Sequence, residues 1–234
     1  MTAVLEATGV RRVFMGGDGE PIEVLSGVEL AVARGEFVAI VGASGAGKST
    51  LLQILGALDP PTAGRVALDG VAYDRLSEPE LAGLRNRRIG FVFQFHHLLR
   101  EFSALENVMM PMLIAGREPG ESRGQAAALL EGMGLANRIS HRPAQLSGGE
   151  QQRVAVARAL VMNPVLVLAD EPSGNLDYHH AEQLHELFAR LAREFETALV
   201  VVTHNRQLAG RADRILSMES GHLVPHSGWE AIST

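Results

Sequence analysis

Cysteine is absent from the 234-residue sequence, which excludes a disulfide framework and thiolate chemistry. A reducing compartment, most simply the cytoplasm, is the expectation. Long apolar runs are missing too. Nothing approaches the roughly 18 consecutive apolar residues that a spanning helix needs, and Met1 to Glu6 holds no basic segment leading into an apolar one. Membrane contact is therefore expected only through partners. An excess of positive charge is the third absence. The formal net charge is −6, and Arg85, Arg87 and Arg88 read as a solvated helix end, so no nucleic acid partner is expected. Internal repeats and low-complexity segments are also lacking.

What is present is a 46% hydrophobic chain, enough to bury one large α/β domain with room for an inserted subdomain. A single domain over residues 1–234, rather than a fragment, is expected. Its most informative stretch is Gly42-Ala43-Ser44-Gly45-Ala46-Gly47-Lys48-Ser49-Thr50, a match to G-x-x-x-x-G-K-[ST]. Apolar Phe37 to Val41 precedes it as a strand, and Leu51 to Leu55 follows it as a helix. Glycines permit positive φ, so successive backbone N–H groups turn toward a polyanion, and the helix adds its positive N-terminal end. Lys48 is expected at the β- and γ-phosphates. Ser49 is expected on Mg²⁺, which keeps most of its waters and takes few protein ligands. Ordinary residue frequencies produce such a string in on the order of one chain in a hundred, and the flanking strand and helix make accident rarer.

Residues 3–34 alternate short β-type runs with turns at Gly16-Gly17-Asp18-Gly19 and Gly35, the pattern of an antiparallel edge. Phe14 has a flat face that suits a base, yet a lone aromatic ending a strand is expected in the core. A strand at Gly64 to Leu68 and a turn at Asp69-Gly70 follow. Ser77-Glu78-Pro79-Glu80 reads as a capping box for a helix to about Asn86. Ile89 to Phe93 is a buried strand that delivers Gln94 at its carboxyl end. Residues 100–163 turn helical, with helices expected at Ala104 to Ala115, Glu121 to Met133 and Ser147 to Met162, forming an insert between strands. Val165 to Ala169 then runs into Asp170-Glu171. A helix from about His179 to Phe195, a strand from Ala198 to Thr203 and a hairpin from Arg214 to Pro225 complete the chain.

Four apolar strands thus end in Gly42, Gln94, Asp170 and His204. Ligands of parallel α/β sheets bind beyond the carboxyl ends of the strands, so these residues are expected to converge on one nucleotide. Each alone has a plain alternative: a polar strand end, a satisfied core histidine, a solvated loop pair. Asp170 suits the carboxylate that steadies Mg²⁺ in a phosphate-loop hydrolase. Glu171, one residue on, is placed to take a proton from an attacking water, and Pro172 fixes the chain direction behind it. Ser147-Gly148-Gly149, opening a long helix, offers a second anion site, with an ordinary Ser N-cap as the alternative.

The ordered set of phosphate loop, Gln94, Leu146-Ser147-Gly148-Gly149-Glu150, Val165 to Glu171, Leu176-Asp177 and His204 resembles the nucleotide-binding domain of ABC transporters over essentially the whole chain. The resemblance implies an α/β phosphate-loop ATPase with a mainly parallel core sheet, an N-terminal antiparallel β subdomain and an inserted α-helical subdomain. It implies Mg-ATP hydrolysis, with ATP and Mg²⁺ as cofactors. Glu171, His204 and Gln94 would act in catalysis, and Ser49, Gln94 and Asp170 would surround the metal. Ser147, Gly148 and Gly149 would cap the γ-phosphate held by a second copy, in an ATP-dependent homodimer. Asp177 would lie in the inter-subunit loop, His204 would contact the γ-phosphate, and Phe14 would stack on adenine.

Phe91 to Leu99 and Ser103 to Val108, with His141-Arg142-Pro143 and Asp170 to Asp177, are most similar to the ABC ATPases of lipoprotein-releasing complexes of Gram-negative bacteria. Macrolide-export and cell-division ATPases, which share the group, are the alternative. The likeness implies a peripheral protein on the cytoplasmic face of the inner membrane, with two integral membrane subunits docked near Gln94 to Leu99. A soluble ABC protein acting on DNA or ribosomes is disfavoured by the single cassette, the compact insert and the acidity. Arg100, Phe14 and Asn205 depart from the commoner Pro, Tyr and Asp. None removes a catalytic group; the change at Asn205 bears on a local contact at the phosphate switch, which it could weaken.

Overall fold

The computed structural model describes residues 3–228; of the domain expected over 1–234, residues 1–2 and 229–234 lie outside it. The chain opens with two long strands, β1 (Ala3–Met15) and β2 (Pro21–Ala33), paired antiparallel across the expected turn. Where the sequence reads as several short runs, the ladder is continuous but broken by register shifts, one of them between Arg12 and Val13. Such shifts turn side chains to the other face and hide the alternation that marks a strand. Next come β3 (Phe37–Val41), α1 (Lys48–Leu55), β4 (Ala63–Leu68) and β5 (Val71–Ala72). They place β2, β1, β4 and β5 in one antiparallel sheet.

Helix α2 (Glu78–Arg88) starts in the expected capping box, with Ser77 N–H donating to Glu80 at 2.8 Å. It leads into β6 (Ile89–Phe93). The insert is built from α3 (Ala104–Ile114), α4 (Pro119–Gly132) and α5 (Gly148–Leu160). Their apolar faces meet in a core of their own, with Met112, Leu130 and Val154 fully buried. After it run β7 (Leu166–Asp170), α6 (Tyr178–Phe195), β8 (Ala198–Val202), α7 (Arg206–Ala209), β9 (Arg214–Glu219) and β10 (His222–Pro225).

The second sheet has the order β10-β9-β3-β8-β7-β6; all its pairs are parallel except the closing hairpin of β9 and β10. Every residue of β3 and of β8 is buried, as a parallel strand covered on both faces requires. One face packs Ile40, Leu168 and Val200 on α1 and the antiparallel sheet. The other packs Phe37, Val167 and Leu199 on α6, whose buried Ala181, Leu184, Phe188 and Leu191 recur at helical spacing. Each such Leu or Phe contributes about 1.5–3 kcal/mol on leaving water. The result is a rigid platform that aligns the carboxyl ends of β3, β6, β7 and β8 along one edge.

Candidate active site

The loop after β3 is shaped by its glycines. Gly42 has φ 151° and passes so close to Met218 that a Cβ there would stand 2.7 Å from its carbonyl oxygen, while Gly45 and Gly47 have φ 79° and 99°. Gly47 is the N-cap of α1 and offers no side-chain cap, and no acidic residue stands in the first turn. The first amides of α1 are left to an anion, in keeping with the expected phosphate cradle. Lys48 Nζ donates to the carbonyls of Gly42 at 2.9 Å and Ala43 at 2.7 Å, which fixes the ammonium over the loop. Burial holds that ammonium below the ordinary lysine range, against the pull of Glu171 and Asp170.

Asp170 ends β7 beside Ser49, whose hydroxyl donates to its carboxylate. Burial pushes the Asp170 carboxyl above the usual carboxylate range and Glu171 adds to this, while Ser49 and Lys48 oppose it. A hydroxyl and a carboxylate side by side are hard oxygen donors, the type Mg²⁺ takes in small number beside water and phosphate oxygens. Among the described residues no group of three or more His, Cys, Asp or Glu side chains offers an all-protein metal cage. The donor set fits Mg²⁺.

Glu171 lies at φ 44°, a left-handed conformation that costs a non-glycine residue about 1–2 kcal/mol. The strand ends hold it there. Glu171 N–H donates to Val202 O at 2.9 Å; its carboxylate accepts from Thr203 Oγ1 at 3.1 Å and from His204 N–H at 3.0 Å. The His204 Nδ1 lies 2.8 Å from Oε1. A carboxylate only accepts, so Nδ1 carries the hydrogen and Nε2 is left to face outward on a side chain that is 76% exposed. Lys48, Ser49, Asp170, Glu171 and His204 line one cleft of about 500 Å³ with the phosphate loop.

Gln94 ends its strand at the same sheet edge but is not among the residues lining that cleft. Its amide donates to Asn175 Oδ1 at 3.2 Å, and Asn175 Nδ2 donates to Gln94 O at 3.0 Å. The Asn175 amide thus bonds both the side chain and the backbone carbonyl of Gln94, so the fold brings Gly42, Asp170 and His204 together in the cleft and holds the Gln94 side chain on the loop after Glu171. Ser147 is outside the cleft as well. It caps α5, accepting from Glu150 N at 3.3 Å, while Gly148 stands open and Gly149 packs under the His180 ring. Asp177 caps α6 and pairs with His180.

The core expectation for Phe14 is corrected. The ring is 39% exposed, with the Arg12 guanidinium 4.6 Å from its centroid. The register shift between Arg12 and Val13 turns the strand end outward, and Arg12 is held by Asp59 at 2.7 Å. Asn205, in place of the commoner Asp, caps α7: its Oδ1 accepts from Gln207 N at 2.9 Å and Leu208 N at 3.0 Å, an N-cap that Asn and Asp make about equally well.

Beyond Gln94 the chain is pinned to α5. Arg158 donates to the carbonyls of His97 at 2.8 Å and His96 at 2.9 Å. His96 bonds Gln151, and burial pushes its imidazole below the ordinary histidine range. Leu98 packs into the helical core, whereas Phe95 is 68% exposed. Sequence reading missed Asn175, Thr203 and Arg158. Of these only Thr203 carried a signal, its place beside His204.

The class of protein follows from this site on this fold. The family described as ABC transporter matches residues 25–174, and the chain belongs to it. The cleft is that of an ABC-type ATPase. The dimeric ABC transporter cassette MJ0796 superimposes with a TM-score of 0.87 at 39% identity, covering 96% of this chain and 100% of that one. A post-hydrolysis state of the same cassette, bound to ADP and Pi, matches at 38% identity with the same TM-score. Particular relatives are similarly alike along their length. The lipoprotein-releasing system ATP-binding protein LolD of Bordetella pertussis is 58% identical over 94% of this chain and 95% of its own. The LolD of Porphyromonas gingivalis is 52% identical over 94% and 98%. The resemblance carried by the motifs is borne out.

Proposed function

We propose that this chain is the ATPase subunit of a lipoprotein-releasing complex, binding Mg-ATP on the phosphate loop and hydrolysing it with Glu171 as general base. The observation that carries the chemistry is the Glu171 carboxylate, fixed by Thr203 and His204 in one cleft with Lys48, Ser49 and Asp170. The cargo reading is supported by the LolD relatives. Ser49 and Asp170 would hold Mg²⁺, which when bound offsets phosphate charge. His204 Nε2 faces the γ-phosphate, and Phe14 offers adenine the ring face not covered by Arg12. Gln94, once released from Asn175, would help to hold the metal and orient the attacking water.

Two copies of the chain sandwich two ATP molecules, the Ser147, Gly148 and Gly149 amides of one capping the γ-phosphate of the other, with Asp177 at the contact. Among the described residues no helix is long and apolar enough to cross a membrane. Two integral membrane subunits anchor the dimer at the cytoplasmic face of the inner membrane. They dock on the exposed Phe95 and His97 and on the adjoining groove of about 390 Å³, lined by Leu58, Phe91, Pro111 and Ile114. The test is purification of the complex from membranes followed by reconstitution with a lipoprotein. ATP-dependent release supports the reading, and a complex that turns over ATP while releasing no lipoprotein overturns it.

A further inference from the structure

The loop between Glu171 and α6 is also held from its buried side. Ser173 is 6% exposed, and its Oγ lies 3.1 Å from Nε2 of His185, a residue of α6 with 0% exposure. The neighbours Ala181, Leu184 and Phe188 on that helix face are apolar, and a buried imidazole is costly unless it is hydrogen-bonded. His185 Nδ1 has no hydrogen-bond partner and faces the Glu182 carboxylate at 3.7 Å. That distance is too long for a hydrogen bond, yet the charge favours the hydrogen on Nδ1. Nε2 is then the acceptor and the Ser173 hydroxyl donates. Glu182 in turn pairs with Arg211, just past α7. A polar line therefore runs from the segment behind His204, across α6, to the loop behind Glu171.

We infer that His185 is a positioning residue for hydrolysis, holding Ser173 so that the loop keeps Glu171 aimed, without itself touching nucleotide. Backbone strain such as that at Glu171 persists only where the surroundings over-determine it. The other side-chain ties of this loop, Asn175 to Gln94 and Asp177 to His180, are solvent-exposed; Ser173 to His185 joins two buried residues. The inference rests on Glu171 being the base.

The test measures intrinsic ATPase, nucleotide affinity and melting temperature of the full chain for Ser173→Ala, His185→Phe, the double variant and His185→Gln. A glutamine amide reaches about as far as Nε2, and its oxygen accepts from Ser173. The expected result is a kcat about fivefold lower in Ser173→Ala and in His185→Phe, the rate equivalent of one net hydrogen bond. KM for ATP stays unchanged, the double variant is no slower than either single one, and His185→Gln recovers most of the loss. A folded Ser173→Ala with wild-type kcat overturns the inference, and it decides the matter if His185→Phe does not fold. So does a loss in His185→Phe that tracks melting temperature and is not recovered by Gln. Glu171→Gln separates the two claims: wild-type turnover there removes the base, whatever the His185 variants do.

Discussion

Glu171 and His204 meet across the ends of two neighbouring parallel strands, the imidazole Nδ1 2.8 Å from one carboxylate oxygen and the His204 N–H 3.0 Å from the same atom. Strands β7 and β8 pair in register up to Asp170 and Val202, so the contact is set by the sheet. A histidine that serves as both backbone and ring donor fixes the carboxylate in the cleft and leaves its own Nε2 facing outward. Each change to this pair, or to the loop beneath it, has a readable outcome.

Lys48→Ala is expected to lose ATP binding, because the ammonium held over the loop is the nearest compensation for phosphate charge. Glu171→Gln should keep nucleotide affinity while turnover falls by about 10² to 10⁴. Fluorescent-nucleotide binding and phosphate release, measured on both variants, separate the two effects. Wild-type hydrolysis in Glu171→Gln would remove the base assignment.

Much of this site was legible because local sequence dictates it. The string Gly42 to Thr50 and the apolar strands ending at Asp170 and His204 are fixed by short-range pattern and by the burial of parallel strands. Gln94 was legible in position and not in partner. Its bond to Asn175 spans distant segments, and nothing in either stretch announces it. Phe14 was misread because a lone aromatic at a strand end was assigned to the core by residue type, whereas its ring is exposed and meets the Arg12 guanidinium, a partner that only the fold supplies. His185 was invisible for a related reason: its helix spacing marks a core position, and only the fold brings Ser173 beneath it.

Asp170→Asn should make the nucleotide-free chain more stable at neutral pH while abolishing Mg-dependent turnover. The folded carboxyl titrates above its unfolded value, so the unfolded chain gives up the proton first and stability falls as pH rises through that window. The charged Asp170 is therefore a cost at pH 7, and the neutral amide removes it. A higher melting temperature is expected, by about 2–4 °C for each kcal/mol of burial cost relieved in a chain of this size. A lower melting temperature would contradict the assigned direction.

The histidines His185 and His96 give the opposite slope. Burial pushes both imidazoles below their unfolded value near 6.5, with Glu182 opposing and Arg211 adding at His185, and Gln151 opposing and Arg158 adding at His96. Below 6.5 the unfolded chain binds more protons than the folded one. Their stabilisation is thus whole above that pH and lost as pH falls toward the folded values. Thermal melts from about pH 7.5 to 5.5 should show the loss, and His185→Gln should flatten part of it. An unchanged slope in that variant would mean His185 does not titrate in this range.

Phe95→Glu and His97→Glu should leave intrinsic ATPase within about twofold of wild type, since both residues are exposed and lie outside the cleft, and surface substitutions cost little. Assembly with the membrane subunits, and lipoprotein release, should weaken. Leu98→Arg is a poorer probe, because Leu98 packs into the helical core and its loss is structural. Wild-type assembly and release in both exposed variants would show that the segment is not the docking surface.

In the proposed dimer a single chain would hold half a site, the phosphate loop and Glu171 on one copy facing Ser147 on another. Light scattering of Glu171→Gln with and without Mg-ATP measures this directly. The predicted result is a doubling of mass on adding Mg-ATP, lost when Ser147→Arg is combined with it while nucleotide still binds. A mass that does not change with saturating Mg-ATP would show that two copies do not share the site.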